Sequence, residues 1–251
     1  MENQLQLKGT KFFITGATSG IGLCLTETLC HFGAEVVASG RNTEALEKLS
    51  KIPGVIGTVA LDLDNLETLD QNLKDIFTKY TPFDGLFHSA GQELIRPLKI
   101  NKSSDTLKLL NTSIVAGLQL AKAFSSKNNT TGKMQSIVMM SSVAGLVGKA
   151  GLSAYSASKG AIDAAVKSLA CELAPRKIRV NSIAAGAVET QMHHRIVQNL
   201  DENSIKAYEG EHLLGFGKPI DIANAACFLL SPMANWITGT TLVVDGGYIC
   251  H

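Results

Sequence analysis

The chain has 251 residues, of which 45% are hydrophobic and 18% are charged, and its 23 basic and 22 acidic residues give a net charge of +1. A chain of this length can bury roughly 70–75% of the surface that its unfolded form exposes, and its composition excludes disorder, collagen and coiled coils. The near-zero net charge provides no overall field that would attract nucleic acid or an acidic membrane.

Apolar strands alternate with amphipathic helices along the chain. The predicted strands cover residues 11–15, 35–39, 55–61, 86–89, 136–140, 178–183 and 241–244, and the predicted helices cover residues 21–32, 43–51, 66–80, 105–124, 153–173 and 219–230. The strands are apolar throughout, which is typical of a parallel sheet covered by helices on both faces. No repeat or linker divides the chain. We therefore expect one α/β domain over residues 1–251, a Rossmann-like doubly wound parallel sheet of about seven strands, with ligands at the carboxyl ends of the strands.

Residues 191–217 interrupt this alternation, because they are polar and too long for an ordinary connection. The segment is predicted to be either a substrate lid or a loop insertion. Several of its side chains would make a substrate site polar: His193, His194, Arg195, Tyr208, Glu209, Glu211 and His212. Adjacent histidines rarely converge on one ion, and no cysteine or carboxylate is spaced to help them, so we expect no metal site.

The sequence also bears on cellular location. No apolar stretch approaches the ~18 residues of a membrane span, and the start of the chain lacks the basic and then apolar layout of a signal peptide. The cysteines are odd in number and never spaced as Cys-x-x-Cys, which is typical of reduced thiols: Cys24, Cys30, Cys171, Cys227 and Cys250. We expect a cytoplasmic protein with neither a membrane nor a nucleic-acid partner.

A glycine-rich turn joins the first predicted strand to the first predicted helix. A pyrophosphate can bind there against the helix N-terminus, and glycines allow the sharp turn and the close approach that this requires. The candidate contacts are Gly16, Thr18, Ser19, Gly20, Ile21 and Gly22. Their spacing is Gly-x-x-x-Gly-x-Gly instead of the common Gly-x-Gly-x-x-Gly, and taken alone the cluster could be only a turn.

The residues after the second and third strands bear on the choice of cofactor. A site for NAD expects a carboxylate about 20 residues after the glycine loop, whereas this chain has Ser39 and Arg41 there. A guanidinium and a hydroxyl can bind a 2′-phosphate, so NADP(H) is favoured over NAD(H), unless Arg41 is only a solvated loop residue. Asp62, beside Leu63, could accept a hydrogen bond from the adenine amino group or cap the helix that follows.

Tyr155 and Lys159 lie four residues apart, on one face of a predicted helix. A phenol with its ordinary pKa near 10 is a poor acid or base at neutral pH, and an adjacent ammonium favours the phenolate and lowers that pKa toward the working range. The two side chains form a candidate proton-transfer pair, although the same spacing occurs on many helices without a function.

In combination, these motifs resemble the short-chain dehydrogenase/reductase family, in its single-domain branch of about 250 residues. The glycine loop, Tyr155, Lys159 and Ser142, which lies 13 residues before the tyrosine, match the family pattern in order, as do Asn111 and residues 179–183 and 239–247. The resemblance covers nearly the whole chain. Two positions depart from the pattern: Ser89-Ala90-Gly91 stands where Asn-Ala-Gly is usual, and Ala185-Gly186 where Pro-Gly is usual.

The resemblance implies an NADP(H)-dependent oxidoreductase that moves a hydride between the nicotinamide and a carbonyl carbon. It assigns Tyr155 as the proton donor, Ser142 as a second hydrogen-bond donor to the carbonyl oxygen, and Lys159 as the residue that binds the nicotinamide ribose. Asn111 would hold a water that connects the lysine to solvent. The remaining cofactor contacts would be Ser89, Ala90, Gly91, Val188 and Thr190.

Family members act on many small carbonyl or alcohol substrates. A 3-oxoacyl thioester is favoured here, with sugars, polyols, steroids and quinones as alternatives. A non-catalytic NADP(H) sensor would predict the loss of Tyr155 or Lys159, and both are present. The resemblance also implies a homotetramer, or a dimer, of paired long helices. The alanines on one face of the helix 153–173 would permit that pairing or pack against the chain's own sheet: Ala157, Ala161, Ala164 and Ala165.

Overall fold

The computed structural model describes residues 5–198 and 200–250. Its strands are β1 (Lys11–Thr15), β2 (Glu35–Gly40), β3 (Val55–Ala60), β4 (Gly85–His88), β5 (Gln135–Ser142), β6 (Ile178–Ala185) and β7 (Thr241–Val244). These seven strands form one parallel sheet in the order β3-β2-β1-β4-β5-β6-β7. The predicted doubly wound α/β fold is therefore confirmed.

Helices cover both faces of the sheet. They are α1 (Gly20–His31), α2 (Thr43–Leu49), α3 (Leu66–Tyr80), α4 (Ser103–Leu110), α5 (Ala116–Phe124), α6 (Ser153–Leu173), α7 (Gln191–Val197), α8 (Glu202–Gly210) and α9 (Pro219–Leu230). Helices α1, α2 and α9 contribute to the core on one face, and α3, α5 and α6 to the core on the other. No helix within residues 5–198 and 200–250 is both long and apolar enough to cross a bilayer.

The core on each face explains why β1 carries apolar residues on both of its sides. In β1, Phe12 and Ile14 point into the core that contains α1 and α9, whereas Phe13 points into the opposite core. The Phe13 ring lies 5.8 Å from the rings of both Phe77 and Phe83. Burying one such side chain contributes about 1.5–3 kcal/mol, so a polar residue on either face of this strand would be costly.

The predicted continuous helix over residues 105–124 is wrong in one respect. The helical segment begins at Ser103, and a π-helical turn, Asn111–Val115, separates α4 from α5. A π-turn inserts one extra residue into the helix, which a 3.6-residue apolar period does not reveal. Such a turn also interrupts the regular hydrogen-bond ladder, and here the Ser113 carbonyl is paired with a side chain, that of His88.

The segment 191–217, predicted to be a lid or a loop insertion, contains the two short helices α7 and α8. The Thr190 side chain accepts a hydrogen bond from the His193 backbone N–H at 3.2 Å and so caps α7. Asp201 caps α8 by accepting from the N–H groups of Asn203 and Ser204. Some of the polar residues that predict a loop are thus helix caps. Movement of this segment as a lid stays a prediction.

His88, the last residue of β4, joins three parts of the fold. Its Nδ1 lies 2.8 Å from the Thr15 hydroxyl at the end of β1, and its Nε2 lies 2.9 Å from the Ser113 carbonyl in the π-turn. A carbonyl can only accept, so Nε2 carries the proton and Nδ1 accepts from Thr15. Burial lowers the pKa of His88 to about 4, while the bond to Ser113 acts to raise it. The neutral imidazole therefore connects the sheet to the π-turn.

We predict that His88→Asn destabilises the protein at pH 7 and that this difference shrinks in acid. The unfolded chain protonates His88 below its ordinary pKa of 6.5, whereas the folded chain resists protonation down to about 4. The stability that depends on neutral His88, about 3 kcal/mol by linkage, is thus present above pH 6.5 and lost as the pH falls through 4. Urea unfolding at several pH values measures it. His194→Asn, which changes an exposed histidine of α7, is the control. A difference between wild type and His88→Asn that stays constant from pH 7 to 4.5 contradicts the assignment.

Candidate active site

Two adjoining cavities open at the carboxyl ends of the strands, where the sheet order reverses between β1 and β4. The glycine-loop cavity, of about 540 Å³, is bordered by the β1–α1 turn and by the ends of β2 and β3. The Tyr155 cavity, of about 170 Å³, is bordered by the end of β5, the start of α6 and the segment 191–217. Seven residues line both cavities: Ile21, Ser89, Gly91, Gln92, Glu93, Thr190 and Met192.

Two glycines of the β1–α1 turn are required by close backbone contacts. Gly16 has a φ of +69°, and a Cβ on it would lie 2.7 Å from the Ala90 backbone nitrogen. A Cβ on Gly22 would lie 2.3 Å from the carbonyl oxygen of Gly16. Gly16 thus lets the turn lie against the end of β4, and Gly22 lets α1 pack on the turn. Gly22, predicted as a cofactor contact, lines neither cavity.

The start of α1 is suited to bind a phosphate. Ser19 is its N-cap residue, but the Ser19 side chain makes no capping hydrogen bond, and the first turn carries no acidic residue. Backbone N–H groups of this turn are therefore available to an anion, which the helix dipole also favours. The predicted contacts that line the glycine-loop cavity are Gly16, Thr18, Ser19, Gly20, Ile21, Ser39, Arg41, Asp62, Leu63, Ser89, Ala90, Gly91 and Thr190. These residues fit a dinucleotide.

The residues predicted to determine the preference between NADP(H) and NAD(H) differ in their surroundings. Arg41 is exposed at the edge of the glycine-loop cavity and forms no ion pair with a described residue. The Ser39 hydroxyl, in contrast, is buried and donates to the Ile14 carbonyl at 3.3 Å, so it is engaged within the sheet. The Asp62 carboxylate accepts from the Asp64 N–H at 3.1 Å and does not cap α3, whose N-cap is Asn65. The helix-cap interpretation of Asp62 is therefore wrong.

Ser142, Tyr155 and Lys159 meet at the wall of the Tyr155 cavity. Ser142 ends β5, its hydroxyl lies close enough to the Tyr155 phenol to act on its pKa, and its Oγ accepts from the Ala144 N–H at 3.2 Å. Lys159 is buried, and its Nζ donates to the Met140 carbonyl at 2.9 Å. The same Nζ lies 5.6 Å from the centre of the Tyr155 ring. The structure thus brings together three of the four side chains that the sequence predicts to be catalytic, and the fourth, Asn111, lies elsewhere.

The pKa of Tyr155 differs from the sequence prediction. Burial raises it well above its ordinary value, the nearby carboxyl group of Glu93 raises it further, and the hydrogen bond with Ser142 acts in the opposite direction. Burial also lowers the pKa of Lys159 to about 8, against the opposing effects of Asp163 and Glu93. The prediction that the phenol pKa is lowered is therefore wrong, because desolvation by burial is the largest effect on it.

Asp163, one turn beyond Lys159 in α6, is a structural residue that the sequence interpretation missed. Its buried carboxylate accepts hydrogen bonds from the hydroxyls of Ser141 in β5, at 2.8 Å, and of Ser182 in β6, at 2.7 Å. Thr241 of β7 donates a third, at 3.1 Å. The only available signal was a lone acidic residue on the apolar face of a helix, and it did not indicate these partners.

Glu93 is the second residue that the sequence interpretation missed. It follows β4 by five residues and lines both cavities. Burial raises the pKa of its carboxyl group to about 7, and the charges of Lys159 and Arg195 act to lower it. The available signal was its position two residues after Gly91, at the end of a central strand where ligands bind in such folds.

The segment 191–217 covers one side of the Tyr155 cavity. Of its polar residues, His193, Tyr208 and His212 line this cavity, Arg195 lines the glycine-loop cavity, and His194, Glu209 and Glu211 line neither. Lys149 connects the segment to the loop before α6, because its Nζ lies 2.7 Å from the Glu211 carboxylate and 4.6 Å from the centre of the Tyr208 ring. In the part of the chain that the structure describes, no three His, Cys, Asp or Glu residues are placed to hold a metal ion.

Asn111 and Val188 lie apart from the glycine-loop cavity. Asn111 is in the π-turn, and its side-chain amide donates to the Asp64 carboxylate at 3.3 Å. It lines neither cavity, so its link to Lys159 through a water stays a prediction. Val188, predicted to contact the nicotinamide, lines the Tyr155 cavity and pairs with Gly217 across a β-bridge.

Known proteins match this chain over almost its whole length. A family model described as enoyl-(acyl carrier protein) reductase matches residues 16–249. A 3-oxoacyl-[acyl-carrier-protein] reductase of Thermotoga maritima is 30% identical over 254 residues, which cover 98% of this chain and 100% of the relative. The chain belongs to the short-chain dehydrogenase/reductase family.

Two solved structures share the fold of this short-chain dehydrogenase/reductase. A protein from Beutenbergia cavernae, described as an NAD(P)-dependent gluconate 5-dehydrogenase with bound NADP, matches with a TM-score of 0.90 at 27% identity and covers 98% of both chains. A 4-hydroxyisoleucine dehydrogenase complexed with NADH matches with a TM-score of 0.88 at 27% identity, over 97% of this chain and 100% of that one. The chain is thus an oxidoreductase with an NAD(P) cofactor.

Proposed function

We propose that the protein interconverts a carbonyl compound and a secondary alcohol with NADP(H), at the wall of the Tyr155 cavity. The observation that carries this proposal is the meeting of Ser142, Tyr155 and Lys159 beside a second cavity that fits a dinucleotide. When bound, the cofactor supplies or accepts the hydride. The protein's own part is to orient the carbonyl oxygen and to transfer a proton to it.

Ser142 and Tyr155 would bind the carbonyl oxygen together. Both side chains line the same cavity, and two hydroxyl donors at one oxygen stabilise the negative charge that develops there. The raised pKa of Tyr155 keeps the phenol protonated at neutral pH, which suits a proton donor in the direction of reduction. Lys159 stands beside Gly91, where the two cavities join, and would bind the ribose of the cofactor.

The preference for NADP(H) over NAD(H) rests on Arg41. Its side chain is exposed at the glycine-loop cavity without an ion-pair partner among the described residues, and the end of β2 carries no carboxylate that would repel a 2′-phosphate. The related structures do not decide the choice, because one holds NADP and the other NADH.

Two substrate classes have support. The Thermotoga maritima relative is named a 3-oxoacyl-[acyl-carrier-protein] reductase, which favours a 3-oxoacyl thioester. A hydroxylated carbonyl compound, such as a keto-polyol, is favoured by the polar groups Glu93, His193 and Tyr208 around the Tyr155 cavity and by the name of the Beutenbergia cavernae protein. Acetoacetyl-CoA and hydroxyketones, each supplied with NADPH, distinguish the two classes by their kcat/KM values.

We also propose a cytoplasmic homotetramer. In α6, Ala157 and Ala164 are exposed and Ala161 and Ala165 partly so, which favours helix pairing between subunits over packing of these alanines on the chain's own sheet. Light scattering is expected to give about four times the mass of one chain. A solution mass of 26.6 kDa, that of a monomer, would contradict the proposal.

For Arg41→Asp we predict that the cofactor preference moves toward NADH. The wild type is expected to bind NADPH at least about tenfold more tightly than NADH, and the variant should lose this difference because a carboxylate repels the 2′-phosphate. Fluorescence titration measures both affinities. Arg176→Asp, which makes the same charge change at an exposed position before β6, should leave them unchanged. Equal affinities of the wild type for NADPH and NADH would contradict the predicted preference for NADPH.

Tyr155→Phe is expected to reduce turnover by about 10² to 10⁴, the usual cost of losing a positioned acid or base, while NADPH still binds. Lys159→Met, in contrast, should weaken NADPH binding, because the lysine is assigned to bind the ribose of the cofactor. Tyr80→Phe, outside the cavities, is the control for loss of a phenol hydroxyl. If Tyr155→Phe keeps more than about a tenth of wild-type turnover where chemistry limits the rate, Tyr155 is not the proton donor.

A further inference from the structure

Glu93 places a carboxyl group on the wall that the two cavities share, without a hydrogen bond or ion pair to any residue that the structure describes. The group is close enough to Tyr155 and Lys159 to raise the pKa of both. A carboxyl group that faces a cavity without a protein partner can accept hydrogen bonds only from water or from a ligand. Here that ligand would lie beside the group that transfers the proton.

His193 provides a second polar group with the same property. Its side chain is only 6% exposed and lines the Tyr155 cavity, yet neither of its ring nitrogens has a hydrogen-bond partner within the described residues. Its ring is packed against that of Phe216, with 4.5 Å between centroids. Burial lowers the pKa of His193, so it presents one donor and one acceptor as a neutral imidazole. Leaving both without a partner is costly, and a hydrogen bond from a polar ligand to either nitrogen would reduce that cost.

The charges around Glu93 restrict the chemistry of that ligand. Lys159 of α6 and Arg195 of α7 already act on the carboxylate as opposing cations, and the carboxylate in turn raises the pKa values of the phenols of Tyr155 in α6 and Tyr208 in α8. A substrate ammonium would add a third cation, whereas a substrate carboxylate at this wall would be repelled by Glu93. A neutral hydroxyl group adds no cation and is not repelled by Glu93. It can donate to the carboxylate and form a hydrogen bond with the imidazole.

We infer that Glu93 and His193 form a hydroxyl-recognition subsite, and that the preferred substrate carries a hydroxyl group next to its reacting carbonyl. This inference rests on the proposed function, because it takes Ser142 and Tyr155 as the residues that bind the carbonyl oxygen. Such a subsite favours a hydroxylated substrate, such as a keto-polyol or a sugar-like ketone, over an unsubstituted 3-oxoacyl chain. Glu93 and His193 are then specificity-determining residues for the reaction.

The test compares pairs of ketones that differ by one hydroxyl group. The pairs are 3-hydroxy-2-butanone with 2-butanone, and 2-hydroxycyclohexanone with cyclohexanone, each with saturating NADPH and at a pH above the raised pKa of Glu93, about 7, so that its carboxyl group is ionised. A hydrogen bond to a charged group is worth about 1.5–3 kcal/mol, so the wild type should prefer the hydroxylated member by about 10- to 150-fold in kcat/KM. Glu93→Leu should lower this ratio to below about threefold, and Glu93→Gln, which keeps an acceptor but not the charge, should give an intermediate ratio.

Two further variants separate recognition from folding. His193→Phe keeps an aromatic ring but removes both nitrogens, and should also lower the hydroxyl preference. Glu202→Gln removes an exposed carboxylate from α8 and should leave the preference unchanged. If Glu93→Leu does not fold, Glu93→Gln and His193→Phe decide the question. A wild-type ratio near one, or a high ratio that survives the changes at both Glu93 and His193, overturns the inference while leaving the proposed function intact.

Binding gives a readout that does not depend on turnover. Saturation-transfer NMR of each ketone pair with the NADP⁺-loaded protein should show stronger binding of the hydroxylated member to the wild type than to Glu93→Gln. Absence of turnover with every ketone and with acetoacetyl-CoA would refute the proposed function. The NMR comparison would still decide the inference, because equal binding of both members, or equal binding to wild type and variant, contradicts a hydroxyl subsite.

Discussion

The geometry of the candidate active site depends on one buried carboxylate. Asp163 binds α6 to the sheet through three hydroxyl groups, one each from β5, β6 and β7. A carboxylate taken out of water costs several kcal/mol unless such donors satisfy it, so the helix is stable only in the register that brings Asp163 to these strands. Lys159 and Tyr155 lie one and two turns before Asp163 on the same helix. Their positions relative to Ser142, at the end of β5, follow from that register.

The same region shows how closely the catalytic elements are packed. A Cβ on Gly145, three residues after Ser142, would lie 2.8 Å from the backbone nitrogen of Gly160 in α6. The loop after β5 and the catalytic helix are therefore in backbone contact, with no side chain between them. At the other edge of the site, His88 connects β1, β4 and the π-turn. Buried polar groups, each satisfied by a strand or turn from another part of the chain, thus hold the site together from both sides.

The sequence predicts the sheet well because central strands such as β1 are buried on both faces, and burial on both faces favours long runs of apolar residues. It does not predict the π-turn, which leaves the apolar period of α4 and α5 nearly unchanged. For the site, the motif pattern identifies Ser142, Tyr155 and Lys159, whereas no motif indicates Glu93 or Asp163. Their surroundings consist of residues distant in the sequence, and local periodicity carries no information about those contacts. The sequence likewise does not predict the direction of the Tyr155 pKa shift, since desolvation is a property of the folded site.

The wall that the two cavities share also has a kinetic consequence. Gly91, Glu93, Thr190 and Met192 border both cavities, so whatever occupies the glycine-loop cavity becomes one side of the Tyr155 cavity. A nucleotide bound in the larger cavity would then form part of the surface that the second reactant contacts. From this arrangement we expect a compulsory order of addition, in which the nucleotide enters first and leaves last. A dead-end analogue of the second reactant would then be uncompetitive against the nucleotide.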